Sequence, residues 1–246
     1  MVITTTAIGF IFLSVGIGTL GYQFLSAFKK STDSRNKRTG FLLSSLFFTS
    51  ATQNAIIGLG SLFFATNSSI LYIALVLSHL FLILFALVGI YTLYHLFLPD
   101  KSPWLVSILV AMLGIAGFIR AFSDHIQPAI TQQNNINFNI NFQFSLITFL
   151  LLFISLSVTT YIFSQLFIRG NGRQMKALAL SVAILAFLGI INVFIRLILL
   201  YDAPAGASDH LFDVITTSIG IGFIIVLMGV PLLKRFYDGS HGRKRE

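Results

Sequence analysis

Seven apolar stretches, each near or above the ~20 residues that an α-helix needs to cross a ~30 Å hydrocarbon core, make up most of this 246-residue chain. They lie at about 6–28, 41–66, 70–98, 104–123, 143–168, 176–201 and 211–233. Few folds accommodate such a pattern. A bilayer offers no hydrogen-bond partners to an open backbone, so every crossing is either a helix or a strand of a closed barrel, and barrel strands read as short alternating segments. The expectation is an all-α, polytopic integral membrane protein: a single seven-transmembrane helix bundle over residues 1–246, with no room for a second, soluble domain. Composition agrees, because 56% of the residues are hydrophobic and only 10% are charged, too few to clothe a water-soluble globule. The least distinct break, between the second and third spans, is marked only by Asn67, Ser68 and Ser69.

Charge then sets the topology. Lys29, Lys30, Arg35, Lys37 and Arg38 follow the first span, Lys101 follows the third, Arg169, Arg173 and Lys176 follow the fifth, and Lys234, Arg235, Arg243, Lys244 and Arg245 follow the seventh. These are alternate connections and so share one face. The opposite connections (1–5, 67–69, 124–142 and 202–210) hold no Lys or Arg. Cytoplasmic loops carry the Lys and Arg excess, which predicts an outside N-terminus and a cytoplasmic C-terminus. The net charge of +8 is therefore a topology signal, and nucleic acid is not an expected partner. Trp104 and most of the tyrosines fall toward span ends, where an interfacial aromatic belt would sit. The expected location is the cytoplasmic membrane of a bacterium, with the lipid bilayer as the principal partner. The basic tail offers a surface for anionic lipid or a protein partner at the cytoplasmic face.

Several chemistries are excluded. Cys is absent, which removes disulfides, thiolate metal sites and thiol catalysis. No HExxH, GxSxG, CxxC or P-loop pattern occurs. Glu246 is the only Glu, so no carboxylate-bridged metal pair can form inside the spans. His79 and His95 share one helix about 24 Å apart, which rules out a bis-His haem within the chain. No cofactor, no metal and no catalytic residue is expected, and the chain is not read as an enzyme. No cleavable signal peptide is expected either, since the N-terminus lacks a basic n-region.

Polar side chains inside spans cost about 2.5–3.5 kcal/mol when charged at a helix centre, so each requires a reason. Arg196 is placed about 8 Å below the outer end of the sixth span, and Arg120 and Asp213 lie in the outermost turns of the fourth and seventh. His79, Gln53, Asn54 and Asn192 fall near the midplane. Asn192 and Arg196 are four apart and share a helix face; Asp213, Thr217 and Gly220 form a stripe on the seventh span, and Gly117 sits beneath Arg120. Together these residues predict a cavity open to the outside, with a cationic rim of Arg120 and Arg196, a counter-carboxylate at Asp213, and a floor of amides and imidazole. Such a cavity suits a small anionic or amphiphilic ligand. The bland alternative is that Arg196 and Asp213 form an interhelical ion pair, that Arg120 snorkels to head groups, and that the amides bond helices together. Glycines 9, 16, 18 and 21, with 220, 222 and 229, are expected to permit close helix contact.

One exterior connection is unusual. Residues 135–144 alternate polar and apolar as Asn, Ile, Asn, Phe, Asn, Ile, Asn, Phe, Gln, Phe, which predicts a strand or hairpin across the outer mouth, an amphipathic strip resting on the bilayer, or an ordinary Asn-rich loop.

Asp213-Val214 and Gly220-Ile221-Gly222 are similar to the last helix of microbial rhodopsins, yet Thr216, Thr217 and Ser218 occupy the region where a retinal Schiff base requires Lys. Retinal bound in that way is excluded. The span count, the outside N-terminus and a basic first cytoplasmic loop leading into Gly40-Phe41-Leu42-Leu43 resemble the seven-transmembrane sensor regions that precede kinase or cyclase modules in bacterial signalling proteins. That resemblance is one of topology and carries no functional residue across. It departs from the family after Arg235, where eleven residues remain and no effector module is expected. The expected function is that of a receptor-like or sensor-like protein binding a small or lipidic ligand from the outer side, or of a subunit in a larger membrane assembly. Transport of a small solute or lipid is the alternative, with a broken second span around Ser45, Thr49, Gln53 and Gly58-Leu59-Gly60. A membrane-embedded enzyme using His79 as base ranks third.

Overall fold

The computed structural model describes residues 4–29, 33–123, 128–130, 136–138, 142–169, 173–202 and 214–225. The helices are α1 (Thr5–Lys29), α2 (Ser34–Phe63), α3 (Ser68–Phe97), α4 (Trp104–Ser123), α5 (Phe142–Arg169), α6 (Arg173–Asp202) and α7 (Val214–Ile225). A two-stranded ribbon, β1 (Ala129–Ile130) and β2 (Ile136–Asn137), lies between α4 and α5. Among the described residues, six helices are long and apolar enough to cross a membrane, as a multi-pass helical membrane protein requires. The seventh expected span is described only over Val214–Ile225, and the flanking residues expected within it lie outside the described residues.

The break between the second and third spans is a helix start signal. Asn67 caps α3: its side chain accepts a hydrogen bond from the Ile70 backbone N–H at 3.1 Å, satisfying one of the four amides that a helix leaves unpaired. The main departure from expectation is at the start of α2, which begins at Ser34 rather than near residue 41. The helix reaches back through the basic loop because Asn36, Lys37 and Arg38 extend into solvent from its first turns and are exposed. Arg38 donates to the Tyr91 hydroxyl at 2.5 Å and lies over that ring, and the Arg169 guanidinium sits over Phe97 at 5.7 Å. The start of α2 and the ends of α3 and α5 therefore meet at one basic end of the bundle.

The opposite end carries the ribbon. Its strands pair antiparallel, with Ala129 opposite Asn137 and Ile130 opposite Ile136. The Ile136 backbone N–H donates to Thr6 Oγ1 at 3.0 Å, tying the ribbon to the start of α1. Ile136 and Phe138 are buried with Phe10, Ile57, Leu71 and Phe144. Of the readings of the 135–144 alternation, a short strand is the one that forms among the described residues, where Ile136–Asn137 pairs with Ala129–Ile130. The strand is shorter than the alternation, because Phe142, Gln143 and Phe144 belong to the first turn of α5.

Glycine sets the closest approaches, as lipid-embedded helices gain by van der Waals contact rather than by hydrophobic burial. A methyl group added at Gly220 would lie 2.7 Å from the Leu13 backbone nitrogen, and one at Gly58 would lie 3.0 Å from that of Ile11. α1 is thus in backbone contact with both α2 and α7. Toward the basic end aromatic rings fill the interior: Phe24, Phe47 and Phe163 pack around one another with centroids 5.5–5.9 Å apart.

Candidate functional site

Between the ribbon and this aromatic cluster, α1, α2, α3, α5, α6 and α7 surround an interior cavity of about 190 Å³. Most of its wall is Phe, Leu, Ile and Val. Polar residues interrupt it: Thr6 on α1, Ser50 on α2, Ser78 on α3 and Thr159 on α5 also line it, and a belt is formed by Gln53 and Asn54 on α2, His79 on α3, Thr148 on α5, and Asn192 on α6 bonded to Thr216 on α7. By rise along each helix, these groups lie about 9–16 Å below the ribbon-bearing ends of α2, α3, α5 and α6. Ile136 and Phe138 of the ribbon also line the cavity, so the ribbon is part of its wall.

Each belt residue has a structural reason for its position. His79 is 2% exposed. Its Nε2–H donates to the Gly114 carbonyl at 3.3 Å, and Phe118 and Phe144 flank the ring at 5.3 and 5.0 Å. Gly117 leaves the space for this imidazole, because a Cβ there would collide with Nε2 and Cε1. With Nε2 donating, the neutral ring presents Nδ1 as an acceptor, and that atom is buried without a partner. Asn192, 4% exposed, donates from Nδ2 to Thr216 Oγ1 at 3.2 Å, while its Oδ1 is buried and unpaired. Thr148 Oγ1 is likewise buried and unpaired. Asn54 Nδ2 donates to the Ser50 carbonyl at 2.7 Å, leaving Oδ1 as an acceptor on the cavity wall. Gln53, 8% exposed, has no side-chain hydrogen bond among the described residues.

Four of the seven residues expected to form a site, His79, Gln53, Asn54 and Asn192, therefore meet in one cavity. Arg120 does not join them. The buried face of α4 is the stripe Val110, Gly114, Gly117 and Ala121; Arg120 falls off that stripe and is exposed on the outer flank of the bundle. Arg196 lies on α6, but its side chain is outside the described residues, as is Asp213 altogether. The expected cationic rim thus loses Arg120. No Lys, Arg, Asp or Glu lines the cavity among the described residues.

On α7, sequence spacing favoured the Asp213, Thr217 and Gly220 stripe, yet the residue facing Asn192 is Thr216. Gly220 turns toward α1, and Thr216, one turn before it on the same side of α7, lines the cavity with Ile219 and Phe223. Thr216 and Thr148 were missed because a lone Thr in an apolar span commonly bonds its own helix backbone. Thr92 and Thr159 do so here. Comparison with protein-family models, curated proteins and solved structures finds no match to this chain.

Proposed function

We propose that this is a receptor-like or sensor-like seven-helix protein of a bacterial cytoplasmic membrane that binds a small or lipidic ligand in the cavity beneath the ribbon. In this proposal the N-terminus and the ribbon are outside, the C-terminus is cytoplasmic, and the ligand arrives from the outer side. One observation carries it. Nδ1 of His79, Oδ1 of Asn192 and Oγ1 of Thr148 are buried without a partner, and all three residues line the cavity. A buried polar group left unpaired costs about 1–3 kcal/mol, so a wall that concentrates three of them calls for a polar occupant.

Transport is supported less well. It relied on an unwound second span, whereas α2 is an unbroken helix from Ser34 through Gln53 to Phe63. A base at His79 would need an acid or nucleophile at its depth. The nearby Ser78 hydroxyl donates to the Leu75 carbonyl of its own helix at 2.7 Å, and no Asp or Glu lines the cavity among the described residues, so that reading has less support. An assembly subunit would be compatible with the same cavity but would not require it.

The test is chemical analysis of the molecules retained after purification. Ala186, 4% exposed, lines the cavity, and Ala186→Phe fills it. A compound enriched on the wild-type protein and lost from A186F is the expected result. Identical profiles for the two proteins would remove the ligand-binding proposal. The topology is checked separately. Because the chain has no Cys, Ser68→Cys should react with an impermeant maleimide on intact cells, and Ser240→Cys only after permeabilisation.

A further inference from the structure

The donors and acceptors of the belt define what the occupant must bring. His79 Nδ1, Asn192 Oδ1 and Asn54 Oδ1 can accept a hydrogen bond and cannot donate one. Thr148 and Gln53 can do both. The unpaired capacity is therefore weighted toward acceptors, and no cation among the described lining residues is available to neutralise an anion. A carboxylate or phosphate would present more acceptors to acceptors and would lose its hydration with no counter-charge, which is costly in an apolar interior. A hydroxyl or amide N–H answers the wall directly.

Shape narrows the class further. Lining residues run from Thr6 to Ile17 on α1 and from Phe144 to Thr159 on α5, which correspond to rises of about 16 and 22 Å. The space is thus taller than it is wide. The belt crosses its middle, and below it the walls are mostly apolar, with Leu82, Phe85, Leu152, Leu156 and Val182 outnumbering Ser50 and Thr159, the latter bonded to its own helix at the Ser155 carbonyl. A 150 Å³ apolar cavity accepts benzene, and at interior packing density the larger volume here takes about eight to ten non-hydrogen atoms.

Resting on the ligand-binding proposal above, we infer that the cavity selects a neutral, slender amphiphile with a hydrogen-bond-donating head, a hydroxyl or an amide N–H, on a medium-length hydrocarbon tail. The head lies in the belt against His79, Asn192 and Gln53, and the tail points toward the basic end of the bundle. Acidic amphiphiles of the same length are rejected, and so are neutral ones that only accept.

Three probes of matched size separate these statements. Protein in lipid nanodiscs is titrated with octan-1-ol, heptyl methyl ether and octanoate at about pH 7.5, where the carboxylate is ionised, and the thermal unfolding midpoint is followed. A186F controls for partitioning into the bilayer, with Leu156→Trp as a second blocking variant should A186F not fold. The alcohol is expected to act at about tenfold lower concentration than the ether or octanoate, the factor given by one net hydrogen bond, and the blocked variant to respond to none. His79→Phe should erase the preference for the alcohol over the ether. Gln53→Met, which breaks no bond within the protein, should reduce it. Equal potency of the ether or of octanoate would overturn the donor-head inference while leaving the cavity a ligand site. Responses to all three that are the same in wild-type and blocked protein would instead remove the ligand site itself, and this inference with it.

Discussion

Helix contacts in this protein use glycine in two different ways. Where α1 meets α2 and α7, a methyl group added at Gly58 or Gly220 would strike backbone atoms of Ile11 and Leu13. Where α3 meets α4, one added at Gly114 or Gly117 would strike the side chains of Ile83 and His79. The first contact sets the distance between helix axes. The second reserves a volume for particular side chains, one of which faces the cavity. The helices also differ in burial: α4 has 22% of its spanning window buried against 61% for α2, so α4 is a peripheral helix whose inner stripe chiefly seats His79 and Ile83.

The contrast breaks most sharply at Gly220. Gly220→Val places a branched side chain against the Leu13 backbone, which cannot move aside without separating α1 from α7. Overpacking usually costs about 1–3 kcal/mol and more when backbone must shift, so loss of about 3 kcal/mol or of monodisperse protein is expected in thermal unfolding and gel filtration. A midpoint unchanged from wild type would mean that the α1–α7 contact is not held at this distance.

Gly117→Ala should do less, because an imidazole can turn where a backbone cannot. About 1–2 kcal/mol of destabilisation is expected, together with weakened ligand retention as His79 leaves the belt. In a His79→Ala background the same change should be close to neutral, since the space it invades has been vacated; coupling between contacting residues of this kind typically measures about 0.5–3 kcal/mol. Additive effects would show that Gly117 does not serve His79.

The smallest effect is predicted at Arg120. Exposed and off the inner stripe of α4, it should tolerate Arg120→Gln within about 0.5 kcal/mol, with ligand retention unaltered. A large loss of binding would return Arg120 to the site from which its position excludes it.

Much of the fold is legible from residue type alone, for reasons visible at single positions. Helical spans follow from the length of apolar runs, and Asn67 marks the break it caps. The ribbon is legible in the alternation about Ile136 and Phe138, although its strand ends sooner because Phe144 serves α5 instead. The neutral part of the candidate site was legible for a similar reason: an amide or imidazole at the midplane is costly in lipid and so turns inward, as Gln53, Asn54, His79 and Asn192 do. A long cation one turn from a helix end is under no such compulsion. Arg120 can reach water from the flank of the bundle, so spacing and depth could not place it in the cavity.

Residue chemistry alone thus determined that the chain forms apolar helices, roughly where each lies, and which uncharged polar groups are withdrawn from lipid. The cost of an unpaired backbone or amide in hydrocarbon is local and applies wherever the residue occurs. Which faces meet was decided only by tertiary packing. Gly220 turns toward α1; Thr216, not Thr217, meets Asn192; Gly117 makes room for His79; and α4 is left at the edge with Arg120 outside. Those outcomes depend on the shapes of two surfaces fitted together, and no single helix contains that information.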